Sequence, residues 1–339
     1  MIAILIVGYN SKKDLPDCLE SIYSSSYKDF QVFFVDNSND GSSDYLKKNF
    51  PKVEVIENSD NLGYAGGNNL LMKLAAPKAD YFFLLNADTI IDKDCLKKLA
   101  EHADQKTILQ PLLLLHRNGQ KTDLINTDGN YLNFLGFSYC GNLGKKYATD
   151  YRLPTTGIPL ASGAAMFLPV GVYKKIGDFD QSYFIYHEDA DLSIRARVAG
   201  YDIKLIESAI LWHKYSFSKH KSKFYYAERN RLKFLLKNFS FKYLALIFPA
   251  FVVTELMMIL YALIGGWVIE KFKGYGDVIK TMSATLSERK KILKLKKIKD
   301  SELKRVIGPW LTFSELRNPL LFVYNIFLVL WWYLIYIFI

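Results

Sequence analysis

The sequence predicts an α/β protein, a mostly parallel sheet flanked by helices, followed by a C-terminal region of membrane-associated helices. Three observations carry this. In the first 110 residues, short β-branched and aromatic runs alternate with stretches of helical spacing. The loops after those runs are polar and rich in Asn, Asp and Gly. Beyond residue 242, two long apolar segments, 244–269 and 319–339, enclose a basic stretch.

The runs at 3–7, 31–36, 53–57 and 81–86 are short and apolar without strict alternation, the pattern of strands buried on both faces. Between them, 13–23, 43–49, 66–76 and 93–103 have helical spacing, with Asp92 as a start signal for the last. Such a βαβ series makes a parallel sheet, whose ligands bind beyond the carboxyl ends of the strands. Those ends carry Gly8-Tyr9-Asn10, Asp36 to Ser42, Asn58 to Gly63 and Asn86-Ala87-Asp88. Any one of them is an ordinary turn; four converging on one crevice point to a ligand.

Residues 107–160 carry loop signals at Asn118-Gly119, Asp128-Gly129 and 141–144, and predict hairpins on the acceptor side. A small-residue turn, Ala161 to Ala165, leads into a strand. The acidic cluster Glu188-Asp189-Ala190-Asp191 opens a helix that runs through Arg195 and closes at Gly200. One carboxylate suffices for capping, so three in four positions suggest chemistry.

Composition narrows the function. The chain has 339 residues, half of them apolar, and a net charge of +10, which excludes disordered and low-complexity classes. Its three cysteines, Cys18, Cys95 and Cys140, are too few and too scattered for a disulfide framework or a cysteine zinc site, which fits a reducing compartment. The Met1–Val7 run lacks a basic lead-in and reads as a strand rather than a signal peptide.

The set of motifs resembles glycosyltransferase family 2, the inverting nucleotide-sugar transferases of GT-A (Rossmann-like) fold. The matching residues are Ile6 to Asn10, Val35 to Ser42, Asn61 to Asn68, Leu84 to Thr89, Phe179 to Arg195 and Leu211-Trp212-His213, in family order over about residues 1–235. The form of Asn61 to Asn68 and of Asn86-Ala87-Asp88 is similar to the rhamnosyltransferase-type branch. The resemblance implies a catalytic domain over 1–235, with a nucleotide-binding half to residue 110 and an acceptor-binding half from 111. It implies that Tyr9, Asn10, Asp36, Asn61, Gly63, Asn68, Asn86, Asp88 and Arg195 bind the nucleotide sugar. Asp88 and His213 would hold a divalent Mg²⁺ or Mn²⁺, for which oxygen and imidazole donors are suited. The departure is Asn86, a neutral amide where a second acid of the metal motif is expected. Asp189 is the candidate general base, weakly basic at an ordinary carboxyl pKa of about 3.9. Glu188 and Asp191 are alternatives, Asp191 equally a capping residue. Arg195, Lys214, Lys219, Lys221, Lys223 and Arg229 are candidates for the leaving diphosphate.

The 21 uncharged residues of 319–339 would span about 31 Å as a helix, the thickness of the bilayer core, and read as a membrane helix. Segment 244–269 is interrupted by Pro249, Glu255 and Gly265-Gly266, and could span, bend or lie in the interface. Residues 243–339 hold 13 basic and 7 acidic side chains, so +6 of the +10 belongs to this tail, and all 13 lie within 271–318. Two spanning segments would put that loop on the side opposite the catalytic domain, against the positive-inside tendency; an in-plane first segment would not. The run from Arg289 to Lys299 would suit an amphipathic helix on anionic lipid rather than a nucleic-acid site. The expectation is therefore an enzyme at the cytoplasmic side of the cell membrane, transferring a sugar to a hydroxyl of a lipid-linked saccharide. A polyprenyl-phosphate glycosyl synthase and a non-catalytic nucleotide-sugar-binding scaffold are the alternatives.

Overall fold

The computed structural model describes residues 1–147, 157–215, 222–312 and 319–339. The chain forms two compact units, Met1–Asn130 with Cys140–Ala196 and Tyr201–Ser216, and Tyr131–Tyr139 with Arg197–Gly200 and Phe217–Ile339.

The first half of the chain contributes β1 (Ile2–Gly8), α1 (Leu15–Tyr23), β2 (Phe30–Asp36), α2 (Ser42–Asn49), β3 (Glu54–Glu57), α3 (Gly63–Ala75), β4 (Tyr81–Leu85), β5 (Thr89–Ile91) and α4 (Cys95–Glu101). It continues with β6 (Thr107–Arg117), β7 (Gln120–Thr127), β8 (Asn130–Asn133), β9 (Ser138–Cys140), β10 (Ala165–Pro169), α5 (Val170–Ile176), α6 (Glu188–Val198) and β11 (Asp202–His213). The main sheet runs β3-β2-β1-β4-β10-β6-β11-β5, with β7 also paired to β6. Its β-branched and aromatic runs are buried as expected: Ile4, Ile6, Val32, Phe34, Phe83 and Phe167 line the core.

β1 pairs in parallel with β2 on one side and β4 on the other, which makes its carboxyl end the switch point of the sheet. β10 inserts antiparallel against β4, Ala165 opposite Leu85, so the turn before it arrives at the same end, where Asn86 N–H donates to the Ala164 carbonyl at 3.0 Å. Asn118 and Gly119, both at positive φ, close the β6–β7 hairpin in the left-handed conformation that two-residue hairpins favour. α3 begins at Gly63 rather than residue 66, because Asn61 Oδ1 accepts the Gly63 N–H at 2.8 Å and starts the helix early. Asn68 is therefore in the second turn of α3 rather than at its start.

The second unit is built from α7 (Ser222–Asn238), α8 (Phe241–Ile264), α9 (Val268–Lys280), α10 (Met282–Leu295), the short α11 (Asp300–Leu303), β12 (Ile307–Gly308) and α12 (Pro319–Tyr336). β12 pairs with β8, Ile307 opposite Leu132. Three expectations change here. The first unit ends at Ser216 rather than residue 235, since α7 belongs with the helices that follow it. The run 289–299 is not one amphipathic helix: α10 ends at Leu295, Lys296 is extended, and Ile292 is buried against the protein. Finally, α8 is the one helix among the described residues long and apolar enough to cross a membrane, whereas the apolar part of α12, Leu321–Tyr336, is shorter.

Candidate active site

Tyr9, Asn10, Asp36, Asn61, Gly63, Asn68, Asn86, Asp88, Glu188, Asp189, Arg195 and His213 belong to the first unit, most of them at or just beyond the carboxyl ends of its strands. At β2, Asp36 is buried and its carboxylate is fully engaged: Oδ1 accepts from the N–H and hydroxyl of Ser38, both at 3.0 Å, and Oδ2 from the N–H and hydroxyl of Ser43, at 3.2 and 2.8 Å. Four donors match the lone-pair capacity of a carboxylate. Asp36 thus organises the loop, and the same Ser38 hydroxyl receives the Asn10 N–H at 3.0 Å. Asn10 holds positive φ, and the Tyr9 ring beside it is 60% exposed, a free aromatic surface at the mouth of the crevice.

Around this loop lie buried polar atoms with no hydrogen-bond partner among the described residues: Ser11 Oγ, Asn37 Oδ1, Ser42 Oγ and Asn68 Oδ1. Orphaned acceptors and donors at strand ends are what a polar ligand would complete. Gly67 leaves room for this packing, as a Cβ there would meet Val7 at 2.8 Å.

Beyond β4, Asp88 Oδ1 is 3.2 Å from Nε2 of His213, the last residue of β11. β5 pairs antiparallel with β11, Thr89 opposite His213, and this register brings the two together. The other imidazole nitrogen, Nδ1, faces Asn126 Oδ1 at 2.9 Å. An amide oxygen can only accept, so Nδ1 carries a proton and Nε2 is the nitrogen turned to the carboxylate; a cation bound between them would take the place of any proton there. Two electron-pair donors side by side, backed by a hydrogen bond to the far nitrogen, suit a divalent cation. Among the described residues no third His, Cys, Asp or Glu joins them, so the remaining ligands must come from a bound anion or water. Burial raises the Asp88 carboxyl pKa, but the His213 contact outweighs it and the net shift is downward, keeping Asp88 ionised. Among the described residues the Asn86 side chain has no hydrogen-bond partner, while its backbone carbonyl accepts from Thr89 Oγ1 at 2.7 Å.

The acidic helix start is strained. Phe184, Tyr186 and His187 all hold positive φ, unusual for residues with bulky side chains. Two contacts fix this segment. The Phe184 carbonyl receives the Ala65 N–H at 3.3 Å, and Asn69 of α3 both donates to and accepts from the backbone of Phe179, at 2.8 and 2.9 Å. Asn69 is a site-organising residue that sequence reading missed; its one signal was a second amide inside a helix.

Asp189 Oδ2 accepts from the Gly163 N–H at 2.9 Å and from Asn130 Nδ2 at 3.4 Å, and Oδ1 from the Ala190 N–H at 2.7 Å. Among the described residues Glu188 Oε2 is buried without a hydrogen-bond partner. Burial pushes both carboxyls up, and Glu188 further, with the Asp189 charge adding to it. Of the two, Glu188 is pushed further toward its protonated form, and Asp189, supported by its donors, is the member that ionises more readily. The expectation of a weak base at an ordinary pKa is corrected. The Tyr64 hydroxyl, bonded to the Gly163 carbonyl, has its pKa raised by burial and by the two acids.

Several cations are engaged elsewhere. Arg195 is buried; its Nε reaches Asp191 at 2.9 Å and its Nη groups donate to the carbonyls of Ile176 and Asp178 at 2.6 and 2.8 Å. It is a structural clamp, not a diphosphate ligand, and Asp191 is its counter-ion. Lys214 pairs with Asp14 and Asp17 at 3.1 and 2.7 Å. Arg229 belongs to the second unit, over the rings of Tyr225 and Tyr226. Lys219 and Lys221 lie outside the described residues. The strand-end stretch Asn126 to Asn130 was read only as a loop, yet it supports both His213 and Asp189.

A mixed sheet with this switch point, an Asp–His donor pair and a supported carboxylate define a transferase of GT-A fold. The chain belongs to Glycosyl transferase family 2, whose profile matches residues 3–177. It is 27% identical over 202 residues to the low-salt glycan biosynthesis hexosyltransferase Agl10 of Haloferax volcanii, covering 58% of this chain and 61% of that one. It is 25% identical over 236 residues to the N-acetylglucosaminyl-diphospho-decaprenol L-rhamnosyltransferase of Mycobacterium tuberculosis, covering 63% of this chain and 76% of that one. The crystal structure of GalNAc-T7 with UDP, GalNAc and Mn²⁺ shares the fold, with a TM-score of 0.55 at 16% identity over 70% of this chain and 48% of that one.

Proposed function

We propose that the protein is an inverting, metal-assisted glycosyltransferase that moves a hexose or deoxyhexose such as rhamnose from a nucleoside-diphosphate sugar to a hydroxyl of a lipid-linked saccharide, in cell-surface glycan assembly at a membrane. The observation that carries this reading is the pairing of functions at one end of one sheet. Asp88 faces His213 at 3.2 Å, and the raised carboxyl of Asp189 is held by Gly163 and Asn130. The lipid-linked acceptor is supported by the decaprenol-linked substrate in the name of the mycobacterial relative.

Asp88 and His213 would hold Mg²⁺ or Mn²⁺, which neutralises a diphosphate as it departs. The chain's own residues do the rest. The loop organised by Asp36, with Tyr9, Asn37, Asn61 and Asn68 around it, receives the nucleoside. The acceptor hydroxyl passes its proton to an Asp189 oxygen while its own oxygen forms the new bond to the anomeric carbon. The bond from that carbon to the diphosphate oxygen breaks, and the electron pair leaves with the diphosphate. Glu188, whose burial favours its protonated form, would keep a second negative charge away from the attacking oxygen.

The test is turnover by the full chain with a panel of nucleoside-diphosphate sugars, a lipid-linked saccharide and Mn²⁺, read as nucleoside diphosphate release and glycolipid product. Product that disappears with chelator and returns with Mn²⁺ is expected; no turnover with any donor would reject the reading in favour of a binding scaffold. Transfer to a polyprenyl phosphate that survives Asp189→Asn would indicate the synthase instead, since a phosphate acceptor needs no base.

A further inference from the structure

The second unit contains a closed ring of four buried charges. Arg231 of α7 pairs with Glu228 at 3.2 Å and with Glu255 of α8; Lys271 of α9 pairs with Glu255 at 3.0 Å and with Glu228. The side chains of Arg231 and Lys271 are 1% and 0% exposed. Tyr275 donates to Glu255, and Arg231 donates to the Leu135 carbonyl at 3.2 Å. The ring is neutral as a whole, and breaking it would leave uncompensated charge in a water-free interior.

Glu255 lies mid-way along α8 and is the only charged residue between Lys242 and Glu270. Its partners stand on α7 and α9, which also carry Lys233, Lys237, Lys273, Asp277 and Lys280 and so cannot enter hydrocarbon. If α8 crossed a bilayer it would either abandon the ring or draw those helices in with it. The inner face of α12 is tied down in the same way: Asn325 makes two hydrogen bonds to the backbone of Leu311, at 2.8 and 2.9 Å, Tyr324 meets Thr254 of α8, and Trp331 Nε1 donates to the Leu246 carbonyl at 3.2 Å.

The outer faces are the opposite. On α8, Phe248, Leu256, Leu260 and Leu263 are exposed by 57–64%, at helical spacing. On α12, Phe322, Ile326, Leu330 and Leu334 are exposed by 45–67%. Such a continuous apolar face is far larger than a soluble surface normally leaves bare. Cations lie at its margins: Lys242 begins α8, Lys273 follows the exposed Phe272, and Lys304 Nζ binds the Tyr336 carbonyl at the end of α12.

We propose that α8 and α12 form an in-plane anchor whose outer faces enter one leaflet of an anionic bilayer, with the marginal lysines on the headgroups, and that neither helix crosses it. This deepens the membrane part of the function proposed above and rests on it. Apolar burial supplies the attachment, and the lysines supply the preference for anionic lipid.

The experiment uses the full chain with vesicles of phosphatidylcholine alone or mixed with phosphatidylglycerol. Flotation with the mixed vesicles is expected, at least tenfold weaker for the pair L256E and L260E, which alter only exposed positions. Environment-sensitive labels on F248C, L256C and L263C then report depth against quencher-bearing lipids. These sites span about 22 Å of helix axis. Equal, shallow depths support the in-plane anchor. A gradient with residue 256 near the bilayer centre overturns it in favour of a spanning α8 and leaves membrane association intact. Absence of flotation with either vesicle, while donor hydrolysis persists, removes both the anchor and the membrane reading.

Discussion

The division of labour between Glu188 and Asp189 is the residue-scale feature with the clearest consequences. Asp189→Asn removes the proton acceptor and is expected to lower kcat by roughly 10²–10⁴-fold. Glu188→Gln preserves the shape of a protonated acid and is expected to retain activity within about tenfold, since its buried carboxyl favours the proton already. The acid limb of the pH–rate profile, where a base is lost as pH falls through its pKa, should lie above the ordinary aspartate value of about 3.9. Stability follows the opposite sign from the usual carboxylate. The folded state holds the Glu188 proton more tightly than the unfolded chain, so stability is lost as pH rises from the unfolded pKa of about 4.3 through the raised folded value. Urea unfolding at pH 5 and pH 8 should show that loss in the wild type and a smaller one in Glu188→Gln. Asn126 acts through His213: Asn126→Leu is expected to weaken Mn²⁺ binding by about 10–100-fold in a direct titration, without a comparable loss in folding. Asp88 and His213 were legible as residue types at strand ends, and Asp189 as part of the acidic cluster that opens α6. Arg195 was not, because its partners are backbone carbonyls of residues 176–178, distant in sequence from α6.

At the scale of elements, the donor loop and the acidic segment meet at a single point. Gly63 has φ +67°, and a Cβ there would stand 2.5 Å from the Phe184 carbonyl oxygen. Gly63→Ala must strain the left-handed backbone, about 1–2 kcal/mol, and displace Phe184 as well. Lower unfolding midpoints, together with changes in both donor KM and kcat, are the expected readout; a change in stability alone would mean the two segments work independently. The parallel strands were legible because each is a buried apolar run bounded by turn residues. The organisation of β7 was not: Asn126, Thr127, Asp128 and Asn130 are buried polar residues, and local patterning reads such a stretch as surface loop. Asn126 and Asn130 find their partners in His213 and Asp189, 87 and 59 residues away, Asp128 accepts from Asn142, and Thr127 bonds within the turn to Gly129 and Asn130.

For the whole molecule, the charge asymmetry of the sequence set off a tail from residue 243, whereas the boundary at 235 that the resemblance implied falls inside α7. A helix with Glu228, Arg231 and Lys233 looks solvent-exposed in sequence, yet those side chains are buried. Only the neighbouring helices reveal where their charges go. Replacing Glu255 by Gln should destabilise the second unit by about 3–5 kcal/mol, as expected when one partner of a buried charge ring is removed, and thermal unfolding would register it. The order in which that ring assembles also bears on biogenesis. Arg231 precedes Glu255 by 24 residues and Lys271 follows it by 16. At 5–20 residues per second, Lys271 is added about one to three seconds after Glu255. Until Lys271 is present, Glu255 has one of its two cationic partners, so the ring closes only when all three helices are complete.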